Sequence, residues 1–220
     1  MRVFPLHRAS IMFTGIVAAV GRIETVSPLG ASEAAADAGV RLRIRANGLD
    51  LSDVILGDSI AIQGACMTVI ALDGDAFDVD VSRESLDKTA GLDKPGRVNL
   101  EKALTLADRL GGHLVSGHVD GLGEVTHFAP VGESHELRVR APRELGRYLA
   151  YKGSVVVNGV SLTVNKVIDD EQGCTFSINL IPHTIEVTTL QDLKPGARVN
   201  LEIDLIARYV ERMLSAPKPA

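Results

Sequence analysis

The sequence predicts an all-β protein made of two homologous, small antiparallel barrels in tandem, followed by a C-terminal α-helix. Three observations support this fold class. The chain repeats itself, each copy carries about six short strand-like segments separated by glycine and turn signals, and the last segment changes to helical periodicity. Closing a sheet into a barrel is how small all-β domains remove exposed strand edges.

The second copy of the repeat lies roughly one hundred residues after the first, and the matching segments keep their order. They are 12–21 with 114–123, 42–46 with 137–141, 64–69 with 159–164, 94–96 with 194–196, and 98–101 with 199–202. A unit of about ninety residues is long enough to be a domain. We therefore expect an N-terminal extension at 1–11, a first barrel at 12–101, a linker at 102–113, a second barrel at 114–203, and a C-terminal oligomerisation helix and tail at 204–220.

The composition limits the classes of function. A net charge of −5 argues against a nucleic-acid surface, which needs a basic field. Tryptophan is absent and aromatic residues make up 4% of the chain, so both cores must be aliphatic. No apolar run is long enough to span a bilayer, and residues 1–11 lack the apolar stretch of a secretory signal. Cys66 and Cys174 form neither a metal pattern nor a disulfide framework, which favours a cytoplasmic protein.

The first elements of each copy follow the same pattern. Residues 13–26 and 115–128 are rich in strand formers, and 27–39 has the composition of a loop. Residues 40–46 alternate between apolar and arginine side chains, as a half-buried strand does, and 137–141 repeat this alternation. Pro142 opens a short helix with Leu145, Tyr148 and Leu149 on one face, and 47–56 form its weaker counterpart.

The remaining strands are short and bounded by glycines. They are 59–62, 66–72 and 76–82 in the first copy, 154–157, 162–168 and 175–180 in the second, and one final strand after each Lys-Pro-Gly turn. The segment 204–215 is predicted to be an amphipathic helix that Pro217 ends. Its apolar stripe is Ile206, Val210, Met213 and Leu214. An isolated helix this short is marginal in water, so the stripe packs against its own barrel or against the same helix of another subunit.

Functional candidates stand out where the two copies differ. Cys66 occupies the place of Ser161, and each precedes a threonine, Thr68 or Thr163, by two positions on the same strand face. A thiol in one copy and a hydroxyl in the other suggest two pockets of one shape with different chemistry, although Cys66 also suits a small buried hydrophobe. Two equivalent pockets in turn suggest two similar ligands.

Histidine and charged residues add further candidates. His118 replaces Ile16 of the first copy, which suits either a proton donor or acceptor or a partly buried structural histidine. Asp204 stands where the first copy has Ala103, and Lys152 at a turn suits a solvated lysine. His113 and His118 are five residues apart and would face opposite sides of a strand, which makes a poor metal pair. Residues 83–84 and 182–183 occupy equivalent loops.

Three motifs stand out, at 12–17 (MFTGIV), 112–121 (GHLVSGHVDG) and 158–164 (NGVSLTV). Together they resemble the alpha-type riboflavin synthase family of lumazine-binding repeats, and the match runs from Met12 to about Leu214. The resemblance implies six-stranded Greek-key barrels and a cytoplasmic homotrimer assembled through the C-terminal helix, with no metal or redox cofactor. It also implies a transferase that dismutates two molecules of 6,7-dimethyl-8-ribityllumazine by four-carbon transfer, giving riboflavin and 5-amino-6-ribitylaminouracil.

The resemblance also implies site residues in each barrel, with the active site between barrels of neighbouring subunits. The first pocket would use Gly15, Ile16, Val17, Cys66, Met67, Thr68, Asp80, Val81, Ser82, Arg83, Glu84 and Ser85. The second would use Gly117, His118, Val119, Lys152, Ser161, Leu162, Thr163, Leu180, Ile181, Pro182, His183, Thr184 and Ile185. The residues that match positions tied to activity are Phe13, Cys66, His118, Ser161 and Asp204.

Some residues depart from the family pattern, and two other functions stay open. Met67 replaces a usual leucine, Gln63 a usual asparagine and Ser85 a usual threonine. A non-catalytic lumazine- or flavin-binding antenna protein would keep the barrels and lose reactive residues, and a structural barrel pair would bind nothing. The polar candidates are all present, which favours the enzyme.

Overall fold

The computed structural model describes residues 12–30, 38–171 and 173–216. The predicted extension 1–11, most of the predicted loop 27–39, and the tail from Pro217 to 220 lie outside these ranges. The described chain forms two antiparallel sheets of related topology, which confirms the predicted fold class.

The first sheet is a closed six-stranded barrel with strand order β1-β2-β5-β4-β3-β6. Its strands are β1 (Ala19–Pro28), β2 (Val40–Arg45), β3 (Ser59–Ile62), β4 (Ala65–Asp73), β5 (Ala76–Val81) and β6 (Gly96–Lys102). The alternation read from β2 is confirmed, because Leu42 and Ile44 are fully buried in the barrel while Arg43 and Arg45 form ion pairs outside it.

The second sheet has seven strands in the order β10-β9-β13-β7-β8-β12-β11. They are β7 (Gly121–Val131), β8 (Ser134–Ala141), β9 (Ser154–Val157), β10 (Val160–Thr163), β11 (Lys166–Asp170), β12 (Gly173–Leu180) and β13 (Arg198–Ile203). The prediction of one strand over 162–168 is wrong. Val164 donates its N–H to Gly153, while Asn165 donates to Ser177 in a different strand, so the segment divides at this point. The matching strand β4 stays continuous but carries a register shift between Val69 and Ala71.

Short helices complete each copy. They are α1 (Arg83–Lys88), α2 (Arg143–Gly146), α3 (Pro182–Glu186) and α4 (Leu205–Ser215), with a 3₁₀ turn at Thr189–Asp192. The predicted loops at 83–84 and 182–183 are helix beginnings, and the Ser82 hydroxyl caps α1 by accepting from the N–H of Ser85. No helix forms at 47–56, where Asn47 and Gly48 both have positive φ.

The helix α4 lies on the second barrel through its polar face. Arg208 donates to the Asp120 carboxylate at 2.6 Å, and Arg147 donates to Glu211 at 2.8 Å. The predicted apolar stripe therefore faces away from its own barrel, with Met213 79% and Leu214 83% exposed. None of the helices in the described ranges is long and apolar enough to cross a membrane.

The two barrels meet at a pseudo-twofold interface of buried amides. The Asn99 amide donates to the carbonyl of Asn158, and the Asn200 amide donates to the carbonyl of Gln63, at 2.8 and 2.9 Å. Gly64 and Gly159 touch backbone to backbone beside these contacts. Buried polar groups tolerate little displacement, so this network fixes how the barrels face each other.

Candidate functional site

The short segment that precedes each barrel in the sequence packs against the other barrel of the same chain. The two crossing segments are 13–17, before β1, and 115–119, before β7, and they pair antiparallel where Phe13 and Val115 exchange backbone hydrogen bonds of 2.7 and 3.0 Å. Beyond that bridge, Val17 packs on the core of the second barrel, and Val119 packs on the core of the first. The predicted strands over 13–26 and 115–128 therefore begin only at Ala19 and Gly121.

This exchange corrects the predicted grouping of pocket residues. The N–H of Cys66 donates to the carbonyl of Gly117 at 2.8 Å, and the N–H of Ser161 donates to the carbonyl of Gly15 at 2.8 Å. Gly117, His118 and Val119 thus belong with Cys66, whereas Gly15, Ile16 and Val17 belong on the side of Ser161. The repeat itself carries no information about which barrel a segment reaches, so the sequence predicts each segment in the pocket of its own copy.

The first pocket is a cavity of about 220 Å³ at the end of the first barrel. Its lining residues are Ala65, Cys66, Met67, Glu84, Ser85, Lys88, Thr89, Gly117, His118 and Val119. The strand β4, the helix α1 and the crossing segment 115–119 therefore supply one wall each. Lys88 and Thr89 are not among the predicted pocket residues. They reach the pocket because residues 83–88 form the helix α1, whereas the sequence predicts a loop there.

Two glycines make the crossing possible. Gly15 and Gly117 both have φ of +74°, a left-handed backbone that other residues adopt at a cost. A Cβ on Gly117 would lie 2.7 Å from the Cβ of Cys66, and one on Gly15 would lie 2.7 Å from the N of Ser161. Only glycine lets the segments approach Cys66 and Ser161 so closely.

Two buried carboxylates hold the crossing segments. Glu101 accepts hydrogen bonds from the N–H and hydroxyl of Thr14, both at 2.7 Å, and from the N–H of Gly15 at 3.0 Å. Glu202 accepts the equivalent hydrogen bonds from the N–H and hydroxyl of Ser116, at 2.6 and 2.7 Å, and from the N–H of Gly117 at 3.0 Å. Burial raises the pKa of both carboxyl groups, although the three hydrogen bonds to each oppose that shift. The sequence signal for these residues was a glutamate at the same place in each copy of the repeated Val-Asn-Leu-Glu segment.

Cys66 is half-buried between the first pocket and the seam of the barrels. Phe13 is fully buried in a small cluster with Ala61, Val115 and Val156, and Cys66 packs against this cluster. Burial raises the pKa of the Cys66 thiol, a hydrogen bond with Ser59 opposes this shift, and the nearby Glu202 carboxylate adds to it. The net upward shift favours the protonated thiol. Phe13 supports Cys66 from behind and has no exposed surface with which to contact a ligand.

Ser161 in the second barrel has a partner that the sequence analysis set aside. The Nδ1 atom of His113 lies 2.7 Å from the Ser161 hydroxyl oxygen. His113 was considered only as one half of a metal pair with His118. The signal that could have identified it is the family-like motif 112–121, which contains both histidines.

The other predicted residues lie at the rims of the two barrels. Thr68 and Thr163 point outward from β4 and β10, Met67 and Leu162 are buried beneath them, and Lys152 is exposed at a turn with φ of +62°. His118 is exposed, and Asp204 caps α4 by accepting from the N–H of Ile206 at 2.8 Å.

The remaining members of the predicted set connect strands to helices. Asp80 forms an ion pair with Arg41, which lowers the pKa of the Asp80 carboxyl. Val81 and Leu180 are buried strand ends, and Ser85 and Thr184 are half-buried in the helices that follow. Ser82, Arg83, Glu84, Ile181, Pro182 and His183 are exposed, and Ile185 packs on the second core. Within the described ranges, no three His, Cys, Asp or Glu side chains are arranged to hold a metal ion.

Known proteins with similar sequences belong to one family. The model of the lumazine binding domain matches twice, at residues 14–103 and 116–204. The chain is 43% identical to riboflavin synthase of Photobacterium phosphoreum over 210 residues, covering 94% of this chain and 91% of that protein. It is 41% identical to riboflavin synthase of Brucella abortus over 214 residues, covering 94% of this chain and all of that protein (100%).

Solved structures show the same architecture. A crystal structure of LumP complexed with riboflavin aligns with a TM-score of 0.74 at 25% identity, covering 87% of this chain and 98% of that one. A second, of LumP complexed with 6,7-dimethyl-8-(1'-D-ribityl)lumazine, aligns with a TM-score of 0.71 at 24% identity, covering 86% and 98%. The tandem barrels, the two family matches and the identity over nearly the whole length agree: the chain belongs to the riboflavin synthase family of lumazine-binding repeat proteins.

Proposed function

We propose that this protein is a riboflavin synthase, a transferase that converts two molecules of 6,7-dimethyl-8-ribityllumazine into riboflavin and 5-amino-6-ribitylaminouracil. The observation that carries the proposal is the pair of equivalent sites, Cys66 against Gly117 and Ser161 against Gly15, which share one backbone geometry. A reaction between two molecules of one compound calls for two such sites. Relatives named riboflavin synthase, about 40% identical over most of the chain, support the same activity.

The two sites differ in chemistry, and this difference suits a reaction in which one molecule gives a four-carbon unit and the other receives it. The first offers the protonated thiol of Cys66 and the exposed imidazole of His118, while the second offers the Ser161 hydroxyl. We propose that Cys66, His118 and Ser161 contact the ligands, that Asp204 acts close to Ser161, and that Phe13 supports Cys66. Orienting two substrates face to face removes much of the entropic barrier to a bimolecular step.

We also propose that α4 joins three subunits, so that the first barrel of one subunit meets the second barrel of its neighbour. The exposed stripe of Ile206, Val210, Met213 and Leu214 supports this, because a helix held to its own barrel by ion pairs leaves that apolar face available. The three subunits of such a trimer would pair unequally, so the proposal does not require closed threefold symmetry. The two free cysteines support a reducing, cytoplasmic setting.

One assay separates the proposed enzyme from a binding protein of the same fold. The protein is incubated with the lumazine, riboflavin is followed by its absorbance, and ligand binding is measured by calorimetry on the same sample. Turnover with two ligands bound per chain supports the enzyme. Tight binding without turnover supports a binding protein like LumP, and the absence of both supports a purely structural role.

A further inference from the structure

The side chain of His113 is presented to Ser161 by elements that lie far apart in the sequence. Ser161 lies on β10, 48 residues from His113, and the Nδ1 to Oγ distance is 2.7 Å. The N–H of His113 donates to the carbonyl of Thr14, and the Glu101 carboxylate holds Thr14 in turn. The histidine is thus attached to the first crossing segment.

The residue before His113 keeps this contact short. A Cβ on Gly112 would lie 2.9 Å from the Cβ of Ser161, 3.0 Å from its hydroxyl oxygen and 2.1 Å from the carbonyl oxygen of Thr14. Any larger residue would push the segment away from β10. The site is therefore built so that the imidazole and the hydroxyl meet.

The surroundings of the ring favour a neutral imidazole that can accept a proton. Burial lowers the pKa of His113 below its ordinary value of 6.5, and the charged group that acts on the ring in the opposite direction is the Asp204 carboxylate. The Nε2 atom is buried and has no hydrogen-bond partner in the described part of the chain. A ring with one nitrogen on the hydroxyl and a carboxylate nearby can take up a proton and be stabilised as the cation.

The first barrel lacks this arrangement by residue type. The repeat aligns His113 with Ile11, which lies outside the described residues and has no proton acceptor in its side chain. Cys66, the counterpart of Ser161, faces the backbone of Gly117 on the corresponding side. Within the described residues, the counterpart of the His113–Ser161 pair is therefore not found at Cys66.

We propose that His113 is a positioning residue that orients the Ser161 hydroxyl and accepts its proton, which makes the second barrel the site where the bound lumazine loses a proton. The proposal rests on the proposed function. The acidic C–H bond of the 7-methyl group breaks, its proton passes to the Ser161 oxygen, and the hydroxyl proton passes to Nδ1 of His113. The electron pair stays in the lumazine ring system, and the charge of Asp204 stabilises the imidazolium until the proton is returned.

The experiment compares His113→Ala, His113→Asn and Ser161→Ala with a double variant of His113→Ala and Ser161→Ala in the full-length protein. Riboflavin formation is measured as kcat and KM from pH 5 to 9, and exchange of the 7-methyl protons of the lumazine with D2O is followed by NMR. His127→Ala is the control, because His127 is a partly exposed rim residue paired with Glu136. Asparagine keeps a hydrogen-bond acceptor close to the position of Nδ1 but is not basic.

We expect His113→Ala and His113→Asn to lower kcat and the exchange rate at least tenfold while KM changes less than threefold. Wild-type activity should decrease at a pH below 6.5, the ordinary pKa of histidine, because protonated His113 cannot accept a proton. This decrease should vanish in both variants. The double variant should be no slower than Ser161→Ala, since both residues act in one step.

Full activity of His113→Asn, an unchanged pH profile, or multiplicative losses in the double variant would overturn the proposal. A wild-type protein that makes no riboflavin would instead refute the proposed function, and this proposal with it. Wild-type turnover together with an active His113→Ala refutes only the role of His113.

Discussion

The backbone N–H of Cys66 donates a hydrogen bond of 2.8 Å to the carbonyl oxygen of Gly117, a residue of the other copy of the repeat. Ser161 and Gly15 repeat the contact at the same length in the second barrel. Each of the two sites therefore contains backbone from both copies of the repeat. This arrangement explains why a fused tandem repeat suits the site better than two separate domains.

We expect Gly117→Ala to destabilise the protein by at least ~2 kcal/mol and to lower turnover more than tenfold, because the new methyl group would strain a left-handed backbone and strike Cys66. Gly132→Ala is the matched control. Gly132 also has a positive φ, +60°, but a Cβ there meets no atom within 4 Å. Its expected cost is about 1 kcal/mol with full activity. Urea unfolding and a riboflavin assay measure both effects, and equal behaviour of the two variants would contradict the close-contact argument.

Cys66→Ser should preserve the fold and lower kcat about tenfold, equivalent to about 1.4 kcal/mol in the barrier. The fold should survive because the equivalent position already holds Ser161, while the hydroxyl replaces a larger, more polarisable thiol. Cys174→Ser is the control, since Cys174 is buried in the second barrel away from both sites. It should lower stability and leave turnover of the folded protein unchanged. A fully active Cys66→Ser would show that the thiol has no special role.

His118→Ala should lower kcat more than it weakens binding of the lumazine. His118 is exposed at the first pocket, on a crossing segment whose backbone is held by Cys66 and Glu202, so truncating its side chain leaves the wall in place. Steady-state kinetics and calorimetry on the same preparation give the two numbers. If both fall by the same factor, the imidazole contributes binding energy and no proton transfer.

Glu202→Gln should destabilise the folded state by about 1–3 kcal/mol and lower turnover, because the amide nitrogen cannot accept from Ser116 or Gly117 and leaves a buried donor unpaired. Glu101→Gln should do the same through Thr14 and Gly15. Glu133→Gln, on an exposed turn, should change stability by less than about 0.5 kcal/mol. Chemical unfolding followed by circular dichroism measures these changes in stability. A Glu202→Gln protein as stable as Glu133→Gln would show that the hydrogen bonds from Ser116 and Gly117 to Glu202 do not stabilise the fold.

Met213→Glu should dissociate the proposed trimer and reduce activity, while Ser215→Glu adds the same charge on the opposite side of α4 and should leave both unchanged. A charge at an exposed position of a monomer would alter stability by less than about 0.5 kcal/mol, so dissociation would point to a buried stripe. Removing residues 206–220 should likewise give folded monomers with little activity. Sedimentation velocity tests all three, and a trimeric Met213→Glu protein or a fully active monomer would refute assembly through this helix.

The sequence predicts the structure of this chain best where the signal is local or repeated. The alternation of Leu42 and Ile44 with arginines defined a barrel strand, and the stripe of α4 was read correctly from its spacing. The helices after β5 and β12 are not predicted from the sequence, because segments of six and five residues are too short to show a helical period. The split of 162–168 was missed because it depends on which strand Asn165 pairs with.

The sequence by itself determined that this chain is a doubled barrel with two equivalent sites, since the repeat and the differences between Cys66 and Ser161 are visible without any coordinates. Only the tertiary structure decided which barrel each crossing segment reaches, that Glu101 and Glu202 bind these segments, and that His113 contacts Ser161. The physical reason is the range of the contacts. Propensity and periodicity act over a few neighbouring residues, whereas Glu202 grips Ser116 across 86 positions and His113 meets Ser161 across 48. Such pairings exist only once both sheets have formed and packed against each other.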